Sequence, residues 1–322
     1  MKLWAKIGLG VVGLGVVAVG AGAGFLFLGL PKMQDPPDLK VEGTPEQVAE
    51  GEYLANHVMV CTSCHGDRDL GRFGQPVKPG TEGRGGHAWD EEVGFPGTLI
   101  APNITPHHLE DWSDGEIARA ITDGVDKDGR PLFPIMSYTH YRYMCQEDLE
   151  RVIAYTRSLP TIEHDTPPTA LGFPLNLIVR MIPQPSERPP CPDADDPVAR
   201  GHYLTEMAGC KTCHTRQESG RPVEEEAFAG GFEFPLHDGY GTSVSANITP
   251  HDTGIGGWTE ETFVQRFRGF TPESTPIEKG DKQSEMPWPA YASMRDEDLK
   301  AIFAYLQTVD PVDKDVKVFI AP

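Results

Sequence analysis

Basic residues are scarce in this sequence. Lysine and arginine together number 28 against 48 aspartates and glutamates, which gives a formal net charge of −20. A surface of this sign repels nucleic acid and attracts proteins with basic faces. The composition therefore excludes nucleic acid as an expected partner and favours proteins with basic faces.

The patterns of two common cysteine-containing sites are also missing. The chain has only six cysteines, and no second Cys/His pair stands near its C-x-x-C segments at zinc-ligand spacing. No βαβ pattern surrounds these segments, which argues against a thioredoxin-like redox site. Glycine and proline are frequent, at 35 and 30 residues, as is typical of short helices joined by long ordered loops. A sheet-rich enzyme is not expected from this composition.

Four of the six cysteines form two copies of one motif, C-x-x-C-H, at residues 61–65 and 210–214. This pattern is the attachment signal of c-type haem. Its two thiols form thioether bonds to one porphyrin, and the histidine that follows binds the iron from the proximal side. The sequence therefore predicts two covalently attached haems c. The residues predicted to hold them are Cys61, Cys64, His65, Cys210, Cys213 and His214.

The chain repeats itself with an offset near 150 residues. Asn-Ile-Thr-Pro-His at 103–107 recurs at 247–251, and Trp-Ser-Asp at 112–114 is echoed by Trp-Thr-Glu at 258–260. This indicates a tandem duplication of one haem domain. The predicted units are a cytoplasmic stub and anchor (1–31), a linker (32–45), a first haem domain (46–160), a proline-rich connector (161–196), a second haem domain (197–310) and a tail (311–322). The two haem domains are called the first half and the second half below.

An uncharged apolar run at residues 7–30 follows Lys2 and Lys6. As a helix it would span roughly 36 Å, which is enough to cross a bilayer. The preceding lysines place the N-terminus inside and the haem domains on the periplasmic, outer face of a bacterial cytoplasmic membrane. The alternative is a cleaved signal peptide, processed near residues 21–23. The sequence predicts a retained single-pass transmembrane anchor, whose glycines at seven-residue intervals suit a partner helix.

Two pairs of methionines align between the halves, Met136 with Met286 and Met144 with Met294. A methionine sulfur opposite the histidine gives haem iron two strong axial ligands and a raised reduction potential. Met136 and Met286 lie in loops after turn-rich segments, whereas the other pair precedes a terminal helix and suits core packing. Met136 and Met286 are therefore the predicted ligands. His140 is the alternative sixth ligand of the first haem.

Several further residues carry predictions. Asn103 and Asn247 are expected to close turns against the haem edges, and Arg130 to contact a haem propionate or, alternatively, to be a plain surface residue. Cys145 and Cys191 stand outside the haem motifs. In an oxidising compartment we expect them to form a disulfide that closes a loop of about 45 residues, the alternative being two free thiols.

The glycine-rich turn, Asn-Ile-Thr-Pro, Trp-Ser-Asp, Met-Pro-aromatic and terminal Ala-Tyr helix resemble the haem domains of the cytochrome c subunits that serve bacterial membrane-bound alcohol and gluconate dehydrogenases. The resemblance covers residues 46–310. It implies an all-α fold of two tandem class I cytochrome c domains behind one transmembrane helix. It also implies the ligand pairs His65/Met136 and His214/Met286, and electron transfer at the outer membrane face. Those subunits usually carry three haem motifs, whereas this chain has two.

The interpretation from sequence is a membrane-anchored dihaem cytochrome c that is not itself an enzyme. It would pass electrons between a membrane oxidoreductase or respiratory complex, bound through the transmembrane helix, and a soluble carrier or terminal oxidase. The alternative is a dihaem enzyme of the peroxidase or thiosulfate-oxidising type. A peroxidase needs an open iron position, and two methionine ligands argue against one.

Overall fold

The computed structural model describes residues 20, 22, 24, 25, 29–218, 220–270 and 275–322. In this part of the chain no helix is long and apolar enough to cross a membrane. The longest described helix, Gln146–Ser158, has 13 residues, or about 20 Å at 1.5 Å per residue. The predicted single-pass anchor, with the N-terminus inside and the haem domains on the outer face, is corrected accordingly. Most of residues 7–30, on which that prediction depended, lie outside the described residues.

Short helices form the framework of both halves. The described α-helices are Pro45–Tyr53 (α1), Cys61–Cys64 (α2), Pro106–Leu109 (α3), Asp114–Asp123 (α4), Tyr138–Tyr141 (α5), Gln146–Ser158 (α6), Leu175–Ile178 (α7), Pro197–Met207 (α8), Cys210–Cys213 (α9), Glu260–Arg268 (α10), Trp288–Tyr291 (α11) and Asp296–Leu306 (α12). A π-helical turn, Leu54–Val58, continues α1. The 3-10 turns are Glu91–Val93, Pro134–Met136, Val179–Met181, Glu224–Glu226 and His237–Gly239.

The first helix of each half begins at a side-chain cap. Thr44 and Gln47 form a reciprocal capping box at the start of α1, with proline at the first helical position. The Asp196 carboxylate accepts hydrogen bonds from the backbone amides of Val198 and Ala199 at the start of α8. These caps fix where each half begins, and they place its C-x-x-C-H segment after the first helix.

Three small antiparallel sheets accompany the helices, so the all-α prediction was wrong. The strands are Ala88–Trp89 (β1), Gly97–Ile100 (β2), Ala170–Leu171 (β3), Gln217–Glu218 (β4), Arg221–Pro222 (β5), Glu233–Pro235 (β6), Thr242–Val244 (β7) and Phe319–Ile320 (β8). The strand orders of the sheets are β1-β2-β3, β4-β5 and β6-β7-β8. The long loops contain many backbone groups that need hydrogen-bond partners, and they obtain them by pairing with one another. In both three-stranded sheets a strand that follows the half's last helix completes the sheet.

A glycine allows the first and last helices of each half to cross closely. A Cβ added at Gly51 of α1 would lie 1.8 Å from the carbonyl oxygen of Arg151 in α6. A Cβ at Gly201 of α8 would lie 1.9 Å from the carbonyl oxygen of Ala301 in α12. Only glycine permits backbones to approach this closely. The two crossings stand 150 residues apart in sequence, in agreement with the duplication.

The halves share one continuous hydrophobic core, and reciprocal hydrogen bonds join them. The Tyr53 hydroxyl of the first half donates to the Asp298 carboxylate at 2.6 Å. The Tyr203 hydroxyl of the second half donates to the Asp148 carboxylate at 2.7 Å. Residues at matching repeat positions therefore exchange the same contact in both directions. The two halves pack around an approximate two-fold axis.

A disulfide ties the connector to the first half. Cys145 and Cys191 are bonded, with an S–S distance of 2.05 Å and a sequence separation of 46 residues. The Arg142 side chain, close to Cys145, donates to the Gln184 side chain and to the Pro185 carbonyl. The disulfide and these hydrogen bonds therefore hold the connector, which leads into the second half, against the N-terminal end of α6.

Candidate haem sites

Each C-x-x-C segment forms a single helical turn. α2 follows Val60, whose φ is 50°, and α9 follows Gly209, whose φ is 65°. Residues i and i+3 share a helix face, so each turn brings its two thiols to the same side of the chain. The histidine of the motif directly follows the turn in both copies. The two segments thus share one local geometry.

The first cysteine of each motif is protonated at physiological pH. Burial raises the pKa of the Cys61 and Cys210 thiols to about 12. Each turn thus presents two thiols on one side of the chain, which is the arrangement that the two thioether bonds of a c-type haem need.

Both motif histidines are buried and oriented in the same way. The Nδ1 atom of His65 lies 2.7 Å from the Pro102 carbonyl oxygen, and that of His214 lies 2.7 Å from the Ala246 carbonyl oxygen. A carbonyl only accepts, so Nδ1 carries the proton and Nε2 remains free to bind a metal. Burial lowers the pKa of both imidazoles and so favours the neutral form that can ligate iron.

Glycines form the backbone cradle behind these histidines. The Gly85 amide donates to the His65 carbonyl at 2.9 Å, and the Gly230 amide donates to the His214 carbonyl at 2.7 Å. Their φ values are +72° and +71°, and an added Cβ on either would lie 2.4 Å from the backbone that accepts the histidine Nδ1–H. No other residue fits this position without displacing that backbone. The sequence showed a glycine-rich turn here, but its role depends on the fold.

An apolar cavity of about 460 Å³ gathers the second set of predicted residues. Its lining includes Cys210, Cys213, His214 and Met286. A cavity of this size is within the range that cofactors occupy. Two thiols, an imidazole and a thioether around one apolar space match the groups that attach and ligate a c-type haem. The residues of the second half therefore fit the cofactor.

The methionines lie in two environments. Met144 and Met294 are almost fully buried in the core, whereas Met136 and Met286 are partly buried and pack against its edge. Met294 also lines the cavity of the second half, so it is the alternative sulfur at that site. Met136 occupies the equivalent repeat position in the first half and packs against the shared core.

His140, the alternative ligand at the first site, is engaged elsewhere. Its Nδ1 lies 2.8 Å from the Glu206 carboxylate, and its Nε2 lies 2.5 Å from the Thr212 hydroxyl. Thr212 belongs to the second C-x-x-C-H segment. Both ring nitrogens are thus occupied across the boundary between the halves, and iron binding would require both contacts to break.

The two asparagines anchor the segment that follows each terminal helix. The Asn103 amide group donates to the carbonyls of Ile162 and His164, while its side-chain oxygen accepts from Thr105. Asn247 makes the equivalent contacts with Val312, Lys314 and Thr249. Asn247 also lines the cavity of the second half.

Arg130 is 71% exposed in its side chain and pairs with Asp126 and Asp128. The arginine that is buried beside a haem motif is instead Arg68, which sequence reasoning did not single out. Its guanidinium contacts Glu285 at 2.8 Å, 217 residues away. Its buried Nε atom has no hydrogen-bond partner in the described part of the chain. No local sequence signal distinguishes Arg68 from the exposed arginines.

Comparison with known proteins confirms the resemblance to dehydrogenase cytochrome subunits. The chain is 28% identical over 286 residues, 82% of its length, to the cytochrome c subunit of a quinone alcohol dehydrogenase from Gluconacetobacter polyoxogenes. It is 27% identical over 296 residues, 84% of its length, to the cytochrome c subunit of a gluconate 2-dehydrogenase from Pantoea cypripedii. It spans only 56% and 62% of these two relatives.

A third relative matches along nearly its whole length. The chain is 28% identical over 308 residues to a dihaem c-type cytochrome from Cereibacter sphaeroides, which covers 91% of this chain and 95% of that protein. No protein-family model matches the chain. The relatives are cytochrome c subunits of dehydrogenase complexes and a dihaem cytochrome c, which supports electron transfer by haem c.

Proposed function

We propose that this chain is a dihaem cytochrome c that transfers electrons and is not itself a catalyst. The observation that carries the proposal is the equivalence of its two attachment segments. Each has a C-x-x-C helical turn followed by a buried histidine, whose Nδ1 donates to a carbonyl at 2.7 Å. Each is followed, at a matching distance along the chain, by a methionine in a loop. The dihaem relative supports the same count.

Four kinds of residue would hold each haem. Two cysteines attach it, and a histidine held by a backbone carbonyl binds the iron. A methionine, Met136 or Met286, binds from the opposite side, and apolar side chains exclude water. When bound, each haem supplies a reversible one-electron change at its iron. A histidine and a methionine would together leave the iron no open position for a substrate, which suits a carrier better than a peroxidase.

The electron donor proposed for this carrier is a dehydrogenase-type oxidoreductase, because two of the relatives are named as subunits of such enzymes. The proposed acceptor is a soluble carrier with a basic face, because the net charge of −20 attracts such a surface. A respiratory complex as the donor and a terminal oxidase as the acceptor are the other members of the same class.

Haem stoichiometry tests the proposed function. The pyridine haemochrome assay combined with the intact mass of the purified chain should report two covalently bound haems. The double substitution Cys61→Ser/Cys64→Ser should leave one, and Cys210→Ser/Cys213→Ser should likewise leave one. A wild-type chain with fewer than two haems, or a chain whose haem is lost under denaturing conditions, would rule the proposal out.

A further inference from the structure

A loop of the first half reaches the second candidate haem site. Phe73 belongs to the segment that follows the first C-x-x-C-H motif, yet it lines the cavity that contains His214 and Met286. Its ring stacks on that of Phe270, with 5.4 Å between the centroids. The first half therefore supplies part of the wall of the second site.

Gln283 fastens this loop to the segment before Met286. Gln283 is only 2% exposed. Its side-chain oxygen accepts hydrogen bonds from the backbone amides of Gly74 and Ser284 at 2.9 and 2.8 Å. Its side-chain nitrogen donates to the carbonyls of Arg72 and Leu70 at 3.0 and 3.2 Å. Three of these four hydrogen bonds join the two segments.

An ion pair makes a second connection, directly beside the predicted ligand. Arg68 stands three residues after His65, and its side chain is 10% exposed. Its Nη1 donates to one carboxylate oxygen of Glu285 at 2.8 Å, and Gln75 donates to the other oxygen at 3.1 Å. Glu285 directly precedes Met286 in the chain. The Glu285 side chain is partly buried, at 28% exposed. A carboxylate held on both oxygens by these partners restricts the position of its neighbour in sequence.

Among the described residues, no matching arrangement lies at the ligand loop of the first site. Ile135 occupies the position before Met136, and it is 41% exposed. The arginine that follows the second motif, Arg216, pairs with Glu226 and Glu218 of its own half. The connection through Arg68 therefore operates in one direction, from the first attachment segment to the second ligand loop.

We propose that Arg68 and Glu285 form a latch between the halves that positions Met286 on the iron of the second haem. The inference rests on the proposed function, in which Met286 is the sixth ligand. Arg68 acts through Glu285 and is a positioning residue. Without the guanidinium, the partly buried Glu285 carboxylate loses its cation, and turning further towards water restores its hydration. That movement draws the Met286 loop away from the iron.

The test compares Arg68→Gln with Arg216→Gln in the full chain carrying its haems. The first variant breaks the latch, and the second breaks an ion pair of the same type on the surface of the second half. In the oxidised protein, Arg68→Gln should lose at least half of the second haem's share of the band near the red edge that reports Fe–S(Met) bonding. The reduction potential of that haem should fall because methionine ligation raises it. Arg216→Gln should change neither quantity.

Two further variants keep the proposal open to refutation. Glu285→Gln removes the negative charge of the ion pair and leaves the first attachment segment unchanged. It should weaken the same band, and the pair Arg68→Gln/Glu285→Gln should recover part of it because no charge is then left unpaired. A full band and an unchanged potential in Arg68→Gln and in Glu285→Gln would overturn the latch. If Arg68→Gln fails to fold or to take up haem, Glu285→Gln alone decides.

Met286→Ala distinguishes a wrong latch from a wrong assignment of the iron ligand. If Met286→Ala removes the second haem's share of the band while both latch variants keep it, Met286 is the ligand and only the latch is wrong. If Met286→Ala leaves the band intact, the ligand assignment itself fails, and the latch falls with it.

Discussion

The two ligand loops of this molecule began as copies of one segment and are now supported differently. Met136 ends a 3-10 turn and is followed by Ser137, whose φ of 60° is left-handed. Met286 is followed by Pro287 at φ −77°, a residue whose ring forbids a positive φ. The second loop is fastened by Gln283 and Glu285 to the other half. Duplication has therefore kept the attachment segments alike while the ligand loops diverged.

The difference suggests that the two haems are unequal in function. A loop fastened by the partly buried Arg68–Glu285 ion pair and by the buried Gln283 amide has few alternative conformations. A loop that ends in an exposed isoleucine and a left-handed serine is held by fewer contacts. We therefore expect the second haem to keep its methionine under conditions in which the first loses it, and the predictions below test this contrast.

Removal of the ligands has the largest expected effect. Met286→Ala and Met136→Ala should each leave both haems attached, and each should remove about half of the Fe–S(Met) band, because one of two such haems loses its sulfur. Absorption spectra of the oxidised variants measure this directly. An unchanged band in Met286→Ala would point to Met294, and an unchanged band in Met136→Ala would point to His140.

Loss of the disulfide should be the largest effect on stability. The bond between Cys145 and Cys191 belongs to the first half and the connector, and the residue that matches Cys145 in the second half is Arg295. In the chain-entropy model a closed loop of 46 residues contributes about 4 kcal/mol to the free energy of unfolding. Denaturant unfolding of Cys145→Ser/Cys191→Ser measures the change. A difference below about 1 kcal/mol would contradict this contribution.

Tyr53 and Tyr203 should contribute equally to the free energy of unfolding, whereas the two ligand loops should differ in how firmly they are held. Tyr53→Phe and Tyr203→Phe each remove one hydrogen bond to a buried carboxylate across the boundary. Each should lower the free energy of unfolding by about 2 kcal/mol. Matched denaturant titrations compare the two directly. A difference of more than about 1 kcal/mol between them would show that the approximate two-fold symmetry of the boundary does not extend to its energetics.

The smallest expected effect concerns the electron partner. The rate of electron exchange with a basic soluble cytochrome should fall by about tenfold between low and physiological salt, because screening shortens the reach of the acidic surface. Stopped-flow mixing at several ionic strengths measures it. An uncharged or acidic cytochrome serves as the control and should show no such fall. A flat rate with the basic partner would contradict steering by the net charge.

Local spacing was enough to predict the features of this molecule that depend on neighbouring residues. The C-x-x-C-H turns and the offset near 150 follow from residue spacing alone. The contact between His65 and Pro102 spans 37 residues, and that between Arg68 and Glu285 spans 217. Neither has a signature in the chain, because the partner is chosen by the packing of distant segments.

The two wrong predictions have related causes. The all-α fold was inferred from the composition and from the resemblance to cytochrome c subunits, and neither shows how long loops satisfy their own backbone groups. In the structure they pair as short strands, as in Gly97–Ile100 with Ala170–Leu171. The membrane anchor was inferred from hydropathy over residues 7–30 alone, and the described residues contain no spanning helix.

Near-infrared magnetic circular dichroism of the oxidised full-length chain tests the central claim most directly, because it identifies the axial ligands of each haem iron. Two covalently attached haems, each with a histidine and a methionine as ligands, predict two low-spin His/Met centres per chain, of which Met136→Ala and Met286→Ala each remove one. A high-spin, five-coordinate iron in the wild-type protein, or a single His/Met centre that neither substitution changes, would contradict the account.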